Sequence, residues 1–302
     1  MISACPRAAS DAAVGAAGTS LKQPTASWFN ADNFLNELRR VNIFCGGFGS
    51  GKTEVAVNFS LRMRELGHRV SIADLDIVNL YFRSREVRRQ LRSQGIDVLV
   101  PEEALVNADL PVIVPEVKGA IEGRSTNDET RMTNEARNPN DEGPGTKDER
   151  TTPVVVLDLG GDPAGARVMA SIAEGMRSVD YSSLFVLNSR RPFTATVAAA
   201  QEMMAGISDA ARIKLDRIVV NSHLVDETTP AVIEEGIVLG EALAQATGAQ
   251  IAFVAVQRVL LEQFDASRCR YPVMVLDRLM LKPWEPSNWI GRYRISTDEI
   301  VN

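Results

Sequence analysis

Residues Gly46-Gly47-Phe48-Gly49-Ser50-Gly51-Lys52-Thr53 fit the pattern G-x-x-x-x-G-K-S/T, and the chemistry of that pattern is the holding of phosphate. Glycines let the backbone curl so that successive N–H groups point at an anion, and the N-terminus of a following helix adds partial positive charge. Lys52 would reach the β and γ phosphates, and the Thr53 hydroxyl would ligate Mg²⁺. Such a loop needs an acid from a second strand to hold the metal's water shell. Val154-Val155-Val156-Leu157-Asp158-Leu159-Gly160-Gly161 supplies one in Asp158, followed by two glycines able to approach a γ-phosphate and hinge when it leaves. A third group, Asp74-Leu75-Asp76, carries two carboxylates one residue apart on an extended segment, so both can face the same site. One would orient the attacking water and the other would join the metal's shell. Asp162 reads better as a helix N-cap than as a ligand.

These residues need elements to position them, and the chain alternates short β-branched runs with helical patterns, the mark of βαβ units and a parallel sheet. Expected strands are Val41–Cys45, Val70–Ala73, Ile96–Val100, Pro153–Leu157, Leu184–Leu187, Arg217–Val220 and Ile251–Val256. After the first strand, Val55, Phe59, Met63 and Leu66 recur at helical spacing, and Gly67 stands where a helix end favours a left-handed residue. Further helices are expected over 164–177 and 231–247, the latter ending before Gly248.

The 302 residues are 45% hydrophobic and 24% charged, enough for one sizeable core. No apolar run approaches the roughly 18 residues of a membrane span. A net charge of −6 argues against a surface built wholly to neutralise nucleic-acid backbones. Cys5, Cys45 and Cys269 lie far apart, and only His68 and His223 join them, so no zinc or iron–sulfur framework is expected and the setting reads as cytoplasmic. Both histidines read as surface-loop residues. Residues 1–38 form a leader expected to be disordered or loosely docked, with no secretory pattern. Within the domain spanning 39–302, the stretch 123–152 is a polar insertion holding only Met132 and Ala136 as hydrophobes, too few to offset its ordering entropy.

Together, Gly46–Thr53, Asp74-Leu75-Asp76 and Asp158-Leu159-Gly160-Gly161 resemble the P-loop NTPase family of the SIMIBI class that groups the MinD/ParA positioning ATPases, nitrogenase iron protein, dethiobiotin synthetase and the cobyrinic acid amidases. The likeness spans roughly residues 40–260. Within it, 74–86 (DLDIVNLYFRSRE) and 188–194 (NSRRPFT) look like a poorly characterised bacterial branch described only as a CobQ/CobB/MinD/ParA nucleotide-binding domain. The resemblance implies a three-layer α/β/α fold with a mostly parallel sheet, and ATP with Mg²⁺ as ligands. It implies nucleotide contacts from Gly47, Phe48, Gly49, Ser50, Gly51, Lys52 and Thr53, with Asn221 after a later strand on the adenine. Thr53, Asp76 and Asp158 would serve the metal, and Lys52, Asp76 and Asp158 the chemistry. No N-K-x-D guanine signature follows Arg217–Val220, which favours ATP over GTP. The implied activity is a slow ATPase switching a protein partner or a homodimer, with no membrane and no nucleic acid. The alternatives are an ATP-dependent small-molecule ligase like dethiobiotin synthetase, or a sensor that binds nucleotide without hydrolysis. Where the positioning ATPases carry a second lysine, five residues before the invariant one, this chain has Gly47. The amidases' glutaminase domain, the iron protein's cluster cysteines and MinD's basic tail have no counterparts.

Arg85, Arg88, Arg89 and Arg92 form one helix stripe opposite Val87 and Leu91, most simply a solvated face. Arg83 or Arg85 could act as an arginine finger in cis. Arg190 and Arg191 read equally as loop-surface residues or as neighbours of the nucleotide. Cys45 reads as a small buried hydrophobe, and Trp284 and Trp289 as part of a segment packed over the sheet.

Overall fold

The computed structural model describes residues 39–76, 85–99, 115–123, 153–161, 163–173, 176 and 179–279. The leader, the insertion beyond Gly123, Arg83, Asp162, Trp284 and Trp289 lie outside the described residues. The elements are β1 (Val41–Cys45), α1 (Lys52–Glu65), β2 (Val70–Leu75), α2 (Arg85–Ser93), β3 (Ile96–Leu99), α3 (Pro115–Glu122), β4 (Val154–Leu159), α4 (Pro163–Ala173), β5 (Tyr181–Leu187), α5 (Val197–Ala211), β6 (Arg217–Val220), α6 (Pro230–Thr247), β7 (Gln250–Gln257) and β8 (Val273–Leu276).

The eight strands form one sheet in the order β3-β2-β4-β1-β5-β6-β7-β8, every pairing parallel. Alternate side chains along each strand serve opposite faces. On one face Phe44, Ile72, Val156, Val186 and Phe253 pack with Val55 and Phe59 of α1 and Leu91 of α2. On the other, Ile43, Cys45, Leu157, Phe185 and Val254 pack with Met169 of α4, Ile207 of α5 and Leu243 of α6. The result is the expected three-layer α/β/α arrangement. Because β4 lies between β1 and β2 while β5 lies on the other side of β1, the chain changes direction across the sheet at β1. Ligands of open parallel sheets bind at such a point, beyond the carboxyl ends of the strands.

Several boundaries differ from the sequence reading. β4 continues through Asp158 to Leu159, with all six residues buried, because parallel strands covered on both faces take their hydrogen-bonded register from neighbours and not from side-chain polarity. β2 likewise continues to Leu75. α1 ends at Glu65, so Leu66 falls outside it and is 38% exposed, while Gly67 adopts φ 93° as expected. α5 and β8 were not anticipated. α5 begins at Thr196, whose side chain accepts from the Ala199 N–H, and its alanine-rich sequence gives weak periodicity. α6 stops at Gly248, φ 75°, as its sequence implies. Among the described residues, no helix is long and apolar enough to cross a membrane.

Candidate functional site

The turn from β1 to α1 is shaped by its glycines. A Cβ on Gly46 would lie 2.5 Å from the Val186 carbonyl oxygen, while Gly49 and Gly51 take φ of 72° and 81°. Gly51 is the N-cap of α1, and its carbonyl accepts the Val55 N–H at 3.0 Å. The loop's outward carbonyls are held by side chains from the turns after β5 and β6. Arg191 Nε donates to Gly49 O at 2.8 Å and Asn221 Nδ2 to Ser50 O at 2.8 Å. In a trans peptide the N–H points opposite the C=O. The Ser50 N–H closes a turn onto the Gly47 carbonyl at 3.0 Å, while fixing the Ser50 carbonyl outward aims the Gly51 N–H at the loop's interior, the geometry an anion needs. Gly161, past β4, touches the same loop: a Cβ there would lie 2.9 Å from Gly46 O and 3.1 Å from the Phe48 nitrogen.

At the first turn of α1 the structure brings together Lys52, Thr53, Asp76 and Asp158. Lys52 Nζ lies 3.0 Å from Asp76 Oδ2, both side chains about nine-tenths buried. Thr53 Oγ1 donates to Asp158 Oδ2 at 2.5 Å. Asp158 Oδ1 and Ser50 Oγ are buried and have no hydrogen-bond partner. Burial pushes the Asp158 carboxyl up to about 6, opposed by Lys52 and the Thr53 hydrogen bond and assisted by Asp76. Burial would lower the Lys52 ammonium, but Asp158, Asp76 and Asp74 together outweigh it and hold the group above its ordinary value. Asp74 pairs in register with Asp158, and its Oδ1 accepts the Asp76 N–H at 2.9 Å, so it shapes the backbone that presents Asp76. Cys45 is fully buried and its thiol is pushed up to about 12, chiefly by burial, which makes it an inert core residue.

Beside the loop, at the carboxyl ends of β6, β7 and β8, is a cavity of about 260 Å³ lined by Gly49, Gly51, Arg191, Asn221, His223 and Gln257 among others. Its far wall is built by β8. Asp277 exchanges two hydrogen bonds with Asn58 of α1, its N–H donating to Asn58 Oδ1 at 2.8 Å and its carbonyl accepting from Asn58 Nδ2 at 2.9 Å. The Asp277 carboxylate takes a bidentate pair from Arg258, at 2.5 and 2.7 Å. Arg278 pairs with Asp226 at 2.7 Å.

His223 is not the surface-loop residue the sequence suggested. It packs against Gly51, where a Cβ would lie 3.1 Å from its Nε2, and its Nδ1 accepts the Val225 N–H at 3.4 Å. Burial first, and the Arg191 charge second, lower its imidazole to about 4, so it is neutral at pH 7. Sequence reasoning missed it and Gln257, because both are assembled by strands distant in sequence. Arg190 turns outward to pair with Glu235 on α6, whereas Arg191 turns inward. Gly47 faces Met203 of α5: a Cβ there would lie 2.7 Å from its sulfur. Phe48, at the loop's tip, is 82% exposed. On α2, Arg89 and Arg92 are exposed and Leu91 is buried, as the stripe implied, whereas Arg88 and Val87 are both half-buried.

No protein-family model and no curated protein matches this chain. Among solved structures it is distantly similar to signal recognition particle proteins and their receptor FtsY. FtsY from Mycoplasma mycoides aligns at 16% identity and a TM-score of 0.44, over 73% of this chain and 62% of that one. The 54 kDa signal recognition particle protein from Aeropyrum pernix, solved with GDP, aligns at 16% identity and a TM-score of 0.45, over 72% of this chain and 41% of that one. FtsY from Thermotoga maritima gives 17% and 0.46, over 76% and 67%. This chain thus spans less than two thirds of the length of the first two.

Proposed function

We propose that the chain binds ATP with Mg²⁺ and hydrolyses it slowly, as a nucleotide switch acting on a protein partner. The observation that carries this reading is the buried cluster of Lys52, Thr53, Asp76 and Asp158 beneath the glycine-rich loop, with Asp158 Oδ1 buried and unpartnered. An orphaned carboxylate oxygen deep in a core is costly unless a ligand completes it. A hydrated magnesium ion fits it, and would be held by Thr53 and, through water, by Asp158 and Asp76. Among the described residues no group of three or more His, Cys, Asp or Glu could hold a metal by itself, consistent with an ion that takes part of its shell from phosphate. When bound, the ion would neutralise charge developing on the β and γ phosphates.

The chain's own groups then have separable tasks. The Gly51 N–H and Lys52 hold phosphate, Asp76 orients water, and the cavity beside Asn221 takes the base. Asn221 Nδ2 is committed to the Ser50 carbonyl, which leaves its oxygen to accept from an exocyclic amine such as that of adenine. Equilibrium titration with ATP, with and without Mg²⁺, tests the reading. Binding that is tight, Mg²⁺-dependent and abolished in Lys52→Ala supports it; a Lys52→Ala protein that binds ATP like the parent overturns it. Release of phosphate over hours separates a slow hydrolase from a sensor.

A further inference from the structure

Arg190 and Arg191 are adjacent in sequence but opposite in use. Arg190 is an exposed partner of Glu235, while Arg191 is half-buried and lines the cavity. Its guanidinium lies against Gly49, where a Cβ would come within 3.0 Å of Nε and 3.2 Å of Cζ. Only Nε is engaged, by the Gly49 carbonyl at 2.8 Å. Among the described residues no carboxylate pairs with Arg191, although Arg258 and Arg278 at the same end of the sheet are paired with Asp277 and Asp226. A guanidinium carries five donors, and no hydrogen bond among the described residues engages the two Nη groups of this side chain, which lines the cavity at the flank of the phosphate loop. The charge is felt locally, since it helps to keep His223 neutral.

The position has chemical meaning. Lys52 and the Gly51 N–H serve the distal phosphates, and the cavity serves the nucleoside. Gly49 and Gly51 of the loop line the cavity together with Arg191. A nucleotide with its base in the cavity and its distal phosphates at Lys52 would carry the phosphate joined directly to its ribose past these residues.

We propose that Arg191 binds the α-phosphate of the nucleotide through its Nη groups while Nε braces the loop at Gly49, so that the site selects ligands whose phosphate is attached to a nucleoside. This rests on the nucleotide reading above. The test is titration of the parent, Arg191→Gln and Arg191→Lys with adenosine, AMP, ADP and ATP, with thermal unfolding as a check of the fold. Glutamine can still donate to the Gly49 carbonyl but has no charge; lysine keeps the charge.

In the parent, affinity should rise from adenosine to AMP. Arg191→Gln should lose about ten- to a hundredfold for AMP, ADP and ATP by the same factor, with adenosine unchanged, and Arg191→Lys should recover most of it. A parent that binds adenosine and AMP equally overturns the proposal without recourse to a variant. Loss confined to ATP, equal loss for adenosine, or no loss at all overturns it too. If the parent binds ATP and the glutamine variant matches it, only this inference fails; if the folded parent binds none of the four, the nucleotide reading fails with it.

Discussion

The two ends of the site handle charge in opposite ways. Around β1, β2 and β4, an ammonium and two carboxylates are buried close together, and one carboxylate oxygen has no partner. Around β6, β7 and β8, Arg258 and Arg278 are each matched to an acid. The first end stores unfinished electrostatics that a ligand can complete, whereas the far wall of the second is already paired and supplies shape. Where the two ends meet, Arg191 is left without a carboxylate among the described residues. The contrast teaches that the phosphate end should govern affinity and its dependence on metal and pH, and the cavity end stability and choice of base.

The sharpest way to break that contrast is Lys52→Ala, which should reduce ATP affinity at least a hundredfold while leaving the cavity end intact, as read by titration calorimetry. Next comes pH. Asp158 titrates near 6, above the ordinary carboxylate range. The ligand-free fold is therefore favoured by protonation, a contribution complete at acid pH and lost as pH rises through about 6. Metal binding needs the ionised form, so Mg²⁺-dependent affinity should fall as pH drops through about 6, and Asp158→Asn should abolish that dependence. At the other end, Asn58→Ala strands the Asp277 backbone N–H and carbonyl. It should cost about 1–3 kcal/mol in denaturant unfolding, with the Lys52 pairing untouched. The smallest effect expected is at Cys45: in the native protein a thiol reagent should modify half-buried Cys269 and spare Cys45, each site read by peptide mass spectrometry so that Cys5 is scored apart.

The same division explains what could be read in advance. β1, its loop and the start of α1 are one contiguous stretch, and each residue type there has a local reason, so sequence sufficed to point to them. Asp158 was legible because a run of β-branched residues leads into it, although its place inside β4 depends on pairing with β2. The cavity end was not legible. Val273–Leu276 is too short for its pattern to distinguish a strand from a loop, and it becomes one by pairing with β7. The places of Gln257 and Asp277 follow from that pairing, and the place of His223 follows from its packing against Gly51 of the loop. The two helix glycines that let α6 lie close on β6, Gly236 against Ser222 and Gly240 against Val220, likewise have a meaning only once the helix is docked.

The Lys52–Asp76 pair has a consequence for competition. Before any ligand arrives, the lysine already holds an anion, tethered by the fold at 3.0 Å. A tethered group acts at an effective concentration of about millimolar or more, so Asp76 behaves as a built-in rival to phosphate. Free inorganic phosphate, offering one contact against that rival, is expected to leave the pair closed at lower concentrations. A polyphosphate collects the Gly51 N–H at the same time and displaces it. On the proposed nucleotide reading, the carboxylate would act as a threshold, screening out small anions before the base is read.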